Sequence, residues 1–160
     1  VEVANRDFES RLRWCVAGKY EDANHKPVIA IPGGLEKTVK SGETVTLNAD
    51  ITEPDSLDID GIWAKYSALY EQLGFNKESF VEIAPQRYPK YNAYWWQYKE
   101  AGTYNGYIDI VAVDSGKSTF VAPKVDKPET LHLILEVTDT GIPALTTFAR
   151  VIVTIFPTDK

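Results

Sequence analysis

The chain has 160 residues, 44% of them apolar, with a net charge of −6, one cysteine and no methionine. That length suits one domain with a real core and leaves little room for two independent ones. Charges of both signs spread along an acidic chain do not neutralise phosphates, so neither nucleic acid nor an anionic membrane surface is an expected partner.

No apolar run reaches the roughly 18 to 20 residues needed to cross a bilayer, and no basic region followed by an apolar core opens the sequence. The lack of methionine even at position 1 is what a processed or excised piece of a longer protein would show. Cys15 has no partner for an internal disulfide and no neighbouring ligands for a metal, so a small buried apolar role is expected of it.

In chain order, "NRDFESRLRWCVAG" places Phe8, Leu12, Cys15 and Val16 at helical spacing, with Asn5 or Asp7 as cap and Gly18 as stop. From Val28 onward short β-branched runs alternate with Gly, Pro and Asp, as all-β domains do. The runs "VIAI", "ETVTLNA", "NAYWWQY", "YIDIVAV", "STFVA", "TLHLILEVT" and "TFARVIVTIF" predict about seven strands, the number of an immunoglobulin-like β-sandwich. Period-two alternation puts Val45, Leu47 and Ala49 in one inward row, Leu131, Leu133, Leu135 and Val137 in a second, and Val151, Val153 and Ile155 in a third. His132, Ile134, Glu136 and Thr138 then face outward.

Between the second and third strands "DIDGIWAKYSALYEQLG" departs from this pattern. Ile59, Ile62, Trp63, Tyr66, Leu69, Tyr70 and Leu73 recur every three or four residues, with Asp58 or Asp60 as cap and Gly74 as terminator. This predicts one inserted amphipathic helix, after which the Pro-bearing "APQRYPKY" returns the chain to the sheet. The helix either covers an open end of the sandwich or carries a particular function.

The acidic residues Glu53, Asp55, Asp58 and Asp60 of "EPDSLDID" and Asp139 of "VTDTG" lie in two loops that can meet at one end of a sandwich. Calcium favours several closely spaced oxygen ligands, but the spacing is not that of an EF-hand, and such residues also cap helices and form turns. Carboxylates in exposed turns lack the burial that acid–base glycoside hydrolysis requires. His25 and His132 have no neighbours that suggest a triad, and "IPGGLEK" lacks the phosphate-loop spacing. A non-catalytic domain is therefore expected, with calcium as the one candidate ion.

The stretch "YNAYWWQYKEAGTYNGY" holds the remaining signal. If it begins as a strand, Tyr94, Trp96 and Tyr98 share one face, while Ala93, Trp95 and Gln97 share the other. A tryptophan on the third strand of an immunoglobulin-like domain is usually core, which assigns Tyr94 and Trp96 inward and Trp95 outward beside Gln97. Aromatic rings pack on the C–H faces of sugars while polar side chains bond the hydroxyls. The candidate ligand set is thus Trp95, Tyr98, Tyr104 and Tyr107 for stacking, with Gln97, Lys99 and Glu100 as polar partners. The alternative is that Trp95 packs beneath the inserted helix against Trp63, Tyr66 and Tyr70.

The stretches "DFESRLRWCVAGKYEDANHKP", "YWWQYKEAGTY" and "LILEVTDTGIPALTTFARVIVTI" resemble the C-terminal part of a family of secreted bacterial proteins described as cellulose-binding. Members of that family join a nucleoside-hydrolase-like N-terminal domain to an immunoglobulin-like C-terminal one. The resemblance spans roughly residues 7–50 and 90–156 and is most specific in "WWQYKEAGTY". It implies a helical lead-in over residues 1–27 from a preceding domain, a sandwich over 28–157 with a helical insertion at about 51–90, a secreted or periplasmic location, and a polysaccharide and that preceding domain as partners. Any catalysis would reside in the preceding domain, because "DSLDID" is not its metal motif. Where the family carries a short Asp-rich turn, residues 51–90 stand here instead. The readings that follow are a cellulose or related glycan-binding module, a structural module packed on the preceding domain, and, last, a fragment of a glycan or nucleoside hydrolase.

Overall fold

The computed structural model describes residues 1–55, 59–87 and 90–158. A helix, α1 (Glu2–Val16), precedes the strands β1 (Val28–Ala30), β2 (Glu36–Lys40), β3 (Thr44–Asn48) and β4 (Asp50–Thr52). Two helices follow, α2 (Ile59–Gln72) and α3 (Lys77–Arg87), and then β5 (Tyr91–Gln97), β6 (Val111–Ala112), β7 (Lys117–Val121), β8 (Glu129–Asp139) and β9 (Thr146–Phe156). The fold is mostly β, with nine strands among the described residues in place of the seven expected.

The two additional strands are β2 and β4. Only Val39 is apolar in "EKTVK", so the segment carries no usable alternation, and its strand character comes from parallel pairing with β9 at the sheet edge. β4 is three residues long and pairs antiparallel with β1. The larger sheets run β2-β9-β8-β5 and β3-β7-β6. They share one apolar core built from the three rows expected, with Leu131, Leu133, Leu135 and Val137, Val151, Val153 and Ile155, and Val45, Leu47 and Ala49 all buried, joined by Phe120 and Ala122.

The insertion holds two helices. α2 ends where expected, at Gly74 with φ 86°, in a turn where the Phe75 N–H donates to the Tyr70 carbonyl at 2.9 Å and the Gly74 N–H to that of Glu71 at 3.0 Å. α3 is a second helix where one was expected, and it runs into the "APQRYPKY" segment that returns the chain to the sheet. Its start is a reciprocal cap, in which the Ser79 N–H donates to Asn76 Oδ1 at 2.8 Å and the Asn76 N–H to Ser79 Oγ at 3.0 Å. The pair has a small core of its own, Tyr70 and Phe80 buried among Ile59, Ile62, Trp63 and Phe75. Trp63 stacks on Tyr70 and Tyr70 meets Phe80 at a tilt, while Trp95 belongs to the core of the sheets, so the alternative of Trp95 packed against Trp63, Tyr66 and Tyr70 is not what the structure has.

α1 also differs from expectation. It begins at Glu2, so Asn5 and Asp7 lie inside it instead of capping it, and it stops at an extended Ala17. Cys15, expected to be buried, is exposed, and Phe8, Leu12 and Val16 are exposed with it. Its one buried residue is Ser10.

Candidate functional site: the outer face of the four-stranded sheet

Residues paired across neighbouring strands point to the same side of a sheet. Trp95 pairs with Leu135 and Trp96 with Ile134, and Leu135 belongs to the core row. The facing of the two tryptophans is therefore the reverse of the sequence reading. Trp95 is the inward ring, 7% exposed, and its Nε1 donates to the Gly116 carbonyl at 3.2 Å. That carbonyl sits where the chain passes so close to β3 that a Cβ on Gly116 would lie 2.4 Å from the Ala49 oxygen.

Tyr94, Trp96 and Tyr98 consequently line the outer face along the edge strand β5. Tyr94 is 53% and Tyr98 41% exposed, while Trp96 is half-buried. At about 3.4 Å per residue, alternate side chains stand roughly 7 Å apart, so three rings in succession make a stripe about 14 Å long. The Trp96 and Tyr98 rings meet edge to face at 5.9 Å between centroids.

The register extends this stripe into a surface. Tyr94 lies level with Glu136 and Phe148, and Trp96 with Ile134 and Arg150. His132 pairs with Ile152, and its carbonyl accepts from the Tyr98 N–H at 2.8 Å. Ile134 is 9% exposed although it points outward, because it stands on the inner strand β8 between Trp96 and Arg150. Phe148 is half exposed. Glu136 accepts a hydrogen bond from the Tyr94 hydroxyl, and this, more than burial, pushes the phenol above its usual range. Burial, reinforced by the Arg150 charge, holds the His132 imidazole below its ordinary value. Trp96 Nε1 and His132 Nδ1 are shielded from solvent without a hydrogen-bond partner.

The other sequence-nominated ligand residues divide into two groups. Gln97 points inward with both ends of its amide engaged, Nε2 donating to the Gly106 carbonyl at 3.0 Å and Oε1 accepting from the Ile108 N–H at 3.1 Å. It therefore holds the loop after β5. Tyr104 is half-buried against the core. Lys99 lies 4.1 Å from the centroid of the exposed Tyr107 ring, and Glu100 is exposed in the one-turn helix Lys99–Ala101. Tyr98, Lys99, Glu100 and Tyr107 are thus the nominated residues left facing solvent. Sequence reasoning missed Tyr94 and Trp96, placed in the core, and Phe148, Arg150 and Glu136. Extending the alternation of β9 by two residues toward its start would have marked Phe148 and Arg150 as outward.

The acidic loops do meet. Asp139, 3% exposed, accepts through Oδ1 from the Gly141 and Leu145 N–H groups at 3.0 and 2.9 Å, and through Oδ2 from Asn24 Nδ2 at 2.9 Å. Asp55 Oδ1 lies 3.0 Å from His25 Nδ1, and its other oxygen accepts from the His25 N–H. Glu53 Oε1 accepts from the Asp55 N–H at 3.1 Å. Burial raises Glu53 and Asp139 above the usual carboxylate range, with the Asp55 charge adding to both. Asp60 pairs with Lys77 at 2.8 Å, and Asp58 lies outside the described residues. Among the described residues no group of three or more His, Cys, Asp or Glu side chains is arranged to hold a metal ion. The carboxylates that converge serve turns and the attachment of residues 24 and 25, which is the turn-forming role kept open beside calcium.

Beside this network the His25 ring is stacked between Tyr20, at 3.6 Å, and Trp14, at 5.6 Å. The three line a cleft of about 450 Å³ with Ala17, Gly18, Lys19 and Ala23.

A comparison with curated proteins gave no match. Among solved structures, the chain is similar to a nucleoside hydrolase-related hypothetical protein from Saccharophagus degradans, described as associated with carbohydrate metabolism. The two share 22% identity and a TM-score of 0.71 over 96% of this chain. The chain spans 31% of the length of that protein. A 2,6-sialyltransferase from Photobacterium sp. JT-ISH-224 is 13% identical, with a TM-score of 0.38 over 77% of this chain and 17% of its own. Residues 89–155, which contain β5 to β8 and nearly all of β9, match the family described as "Cellulose-binding protein Sde0182, C-terminal domain", the same kind of family that the aromatic block resembles.

Proposed function

We propose that the chain is a non-catalytic carbohydrate-binding module that takes cellulose or a related neutral polysaccharide on the outer face of its four-stranded sheet. The observation that carries this is the outward stripe of exposed Tyr94, half-buried Trp96 and exposed Tyr98, with Phe148 beside it. Rings standing in line on a pleated sheet offer apolar faces to successive sugar units, while Glu136 and Arg150 supply an acceptor and donors for hydroxyl groups at the edges. Lys99, Glu100 and Tyr107 extend the same strand's loop and are further contact candidates. The family match over residues 89–155 supports a carbohydrate ligand. Within this reading the sheets are an immunoglobulin-like sandwich, and the protein is secreted, with a nucleoside-hydrolase-related companion domain holding any catalytic activity.

Retention on insoluble cellulose tests the proposal. The parent chain should be retained, Tyr94→Ala and Trp96→Ala should each be released, and Tyr104→Ala, which alters a ring packed on the core, should be retained if it folds. A parent chain that stays in the supernatant would sink the reading.

A further inference from the structure

α1 is held by its polar side to residues 24–26, the segment that leads into β1. At about 100° per residue, Asp7, Ser10 and Trp14 share one face of the helix. Ser10 Oγ and Trp14 Nε1 both donate to the Asn24 carbonyl, at 3.2 and 2.7 Å, and Asp7 pairs with Lys26. The opposite face carries Phe8, Leu12, Cys15 and Val16, with Phe8 63%, Leu12 54% and Val16 84% exposed. The ion pairs Glu2–Arg6 and Glu9–Arg13 run along one flank of this stripe and Asp7–Arg11 along the other. An apolar centre with a charged rim is the anatomy of a protein–protein interface.

Two observations say what covers it. The matched family, over residues 89–155, is described as a C-terminal domain, so in its members chain precedes the matched strands. The similar Saccharophagus degradans protein is about three times as long, since this chain covers 31% of it. α1 lies on the N-terminal side of the β-sheets, where a preceding domain must connect. We infer that Phe8, Leu12, Cys15 and Val16 form the seat of the domain that precedes this one in the same polypeptide, so that α1 is fixed by hydrogen bonds to the segment before β1 and by apolar packing to its neighbour. The inference rests on reading this chain as the C-terminal part of a longer protein, and it does not depend on glycan binding at the sheet face.

Cys15 lies within the stripe and reports on it directly. The longer polypeptide and the 160-residue chain are each exposed to iodoacetamide under native conditions, and alkylation of the Cys15 peptide is followed by mass spectrometry. Alkylation should be at least about ten-fold slower in the longer polypeptide, as expected when a thiol passes from an exposed to a covered position. Leu12→Asp in the longer polypeptide should restore the fast rate while amide exchange in β8 stays as slow as in the parent, which separates undocking from unfolding. Equal rates in the two parents would overturn the inference, as would a Leu12→Asp variant that keeps slow alkylation. Slowing in the short chain that grows with its concentration would also overturn it, because the occupant would then be a second copy. Cellulose retention is unaffected by any of these outcomes.

Discussion

The two outer faces of this protein differ although the inner faces behind them are alike. Behind both lies the same aliphatic core. The outer face of β3 and β7 carries Thr44, Thr46, Asn48, Lys117, Thr119 and Val121, β-branched or polar side chains that suit a half-solvated strand. The outer face of β5, β8 and β9 carries Tyr94, Trp96, Phe148, Ile134 and Arg150. The first face shows that a sheet packed on this core needs no large rings on its solvent side. The rings on the second face are therefore not required by the core behind them, and the proposed glycan site gives them a role.

The sharpest way to break that contrast is to exchange neighbours in β5. Trp95→Ala removes a core ring and its bond to Gly116, and should cost about 3 to 5 kcal/mol. At about 2 to 4 °C per kcal/mol for a domain of this size, the melting temperature should fall by roughly 10 °C. Trp96→Ala, one residue along, should cost about 1 kcal/mol and act mainly on cellulose retention. Equal losses of stability on thermal melting would mean that the outer face is a second core.

Gln97→Leu comes next. It strips the loop of its two bonds to the β5 side chain and leaves the Gly106 carbonyl and Ile108 N–H unpaired, at a cost of about 1 to 3 kcal/mol in urea unfolding. Retention on cellulose should fall only as far as Tyr98 and Tyr107 are displaced with the loop. A retention loss as large as that of Trp96→Ala without loss of stability would restore Gln97 to the ligand set. Smaller again in stability, Tyr94→Ala and Tyr98→Ala should each weaken cellulose binding about ten-fold, which is about 1.4 kcal/mol, while unfolding changes by less than about 1 kcal/mol. Thr46→Ala and Thr119→Ala on the opposite face should change neither. Retention that responds equally to both faces would remove the distinction between them.

The comparison also shows where sequence suffices. Rows such as Leu131, Leu133, Leu135 and Val137 were legible because apolar and polar residues alternate and only one phase buries the apolar set. β5 offers no such phase, since Tyr94, Trp95, Trp96 and Tyr98 make both faces aromatic. Its facing comes from pairing Trp95 with Leu135, a contact forty residues away in sequence that periodicity does not encode. The sequence reading therefore has the right strand and reverses the facing of Trp95 and Trp96. α1 misled for the opposite reason, because its spacing is that of a buried stripe and the residues it would pack on are not in these sheets. The cap pair Asn76 and Ser79 is written in the sequence, but the residues after it lack a helical apolar stripe as regular as that of α2, so α3 is not legible from periodicity.

The smallest expected effect concerns acidity and again separates parts of the molecule. His132, on the aromatic face, has its pKa lowered, first by burial and then by Arg150, so the unfolded chain binds a proton more readily than the folded one. Stability from this residue is complete above the unfolded value of about 6.5 and is lost as pH falls below it toward the lower folded value. Glu53 and Asp139, at the end of the sheets, have raised values, mainly from burial, and act in the opposite sense. Their contribution is complete below the unfolded carboxylate values and is lost as pH rises through the folded ones. Thermal melts taken downward from pH 7 should therefore show a slight early decline that disappears in His132→Gln. A decline that persists in that variant would assign it to a group other than His132.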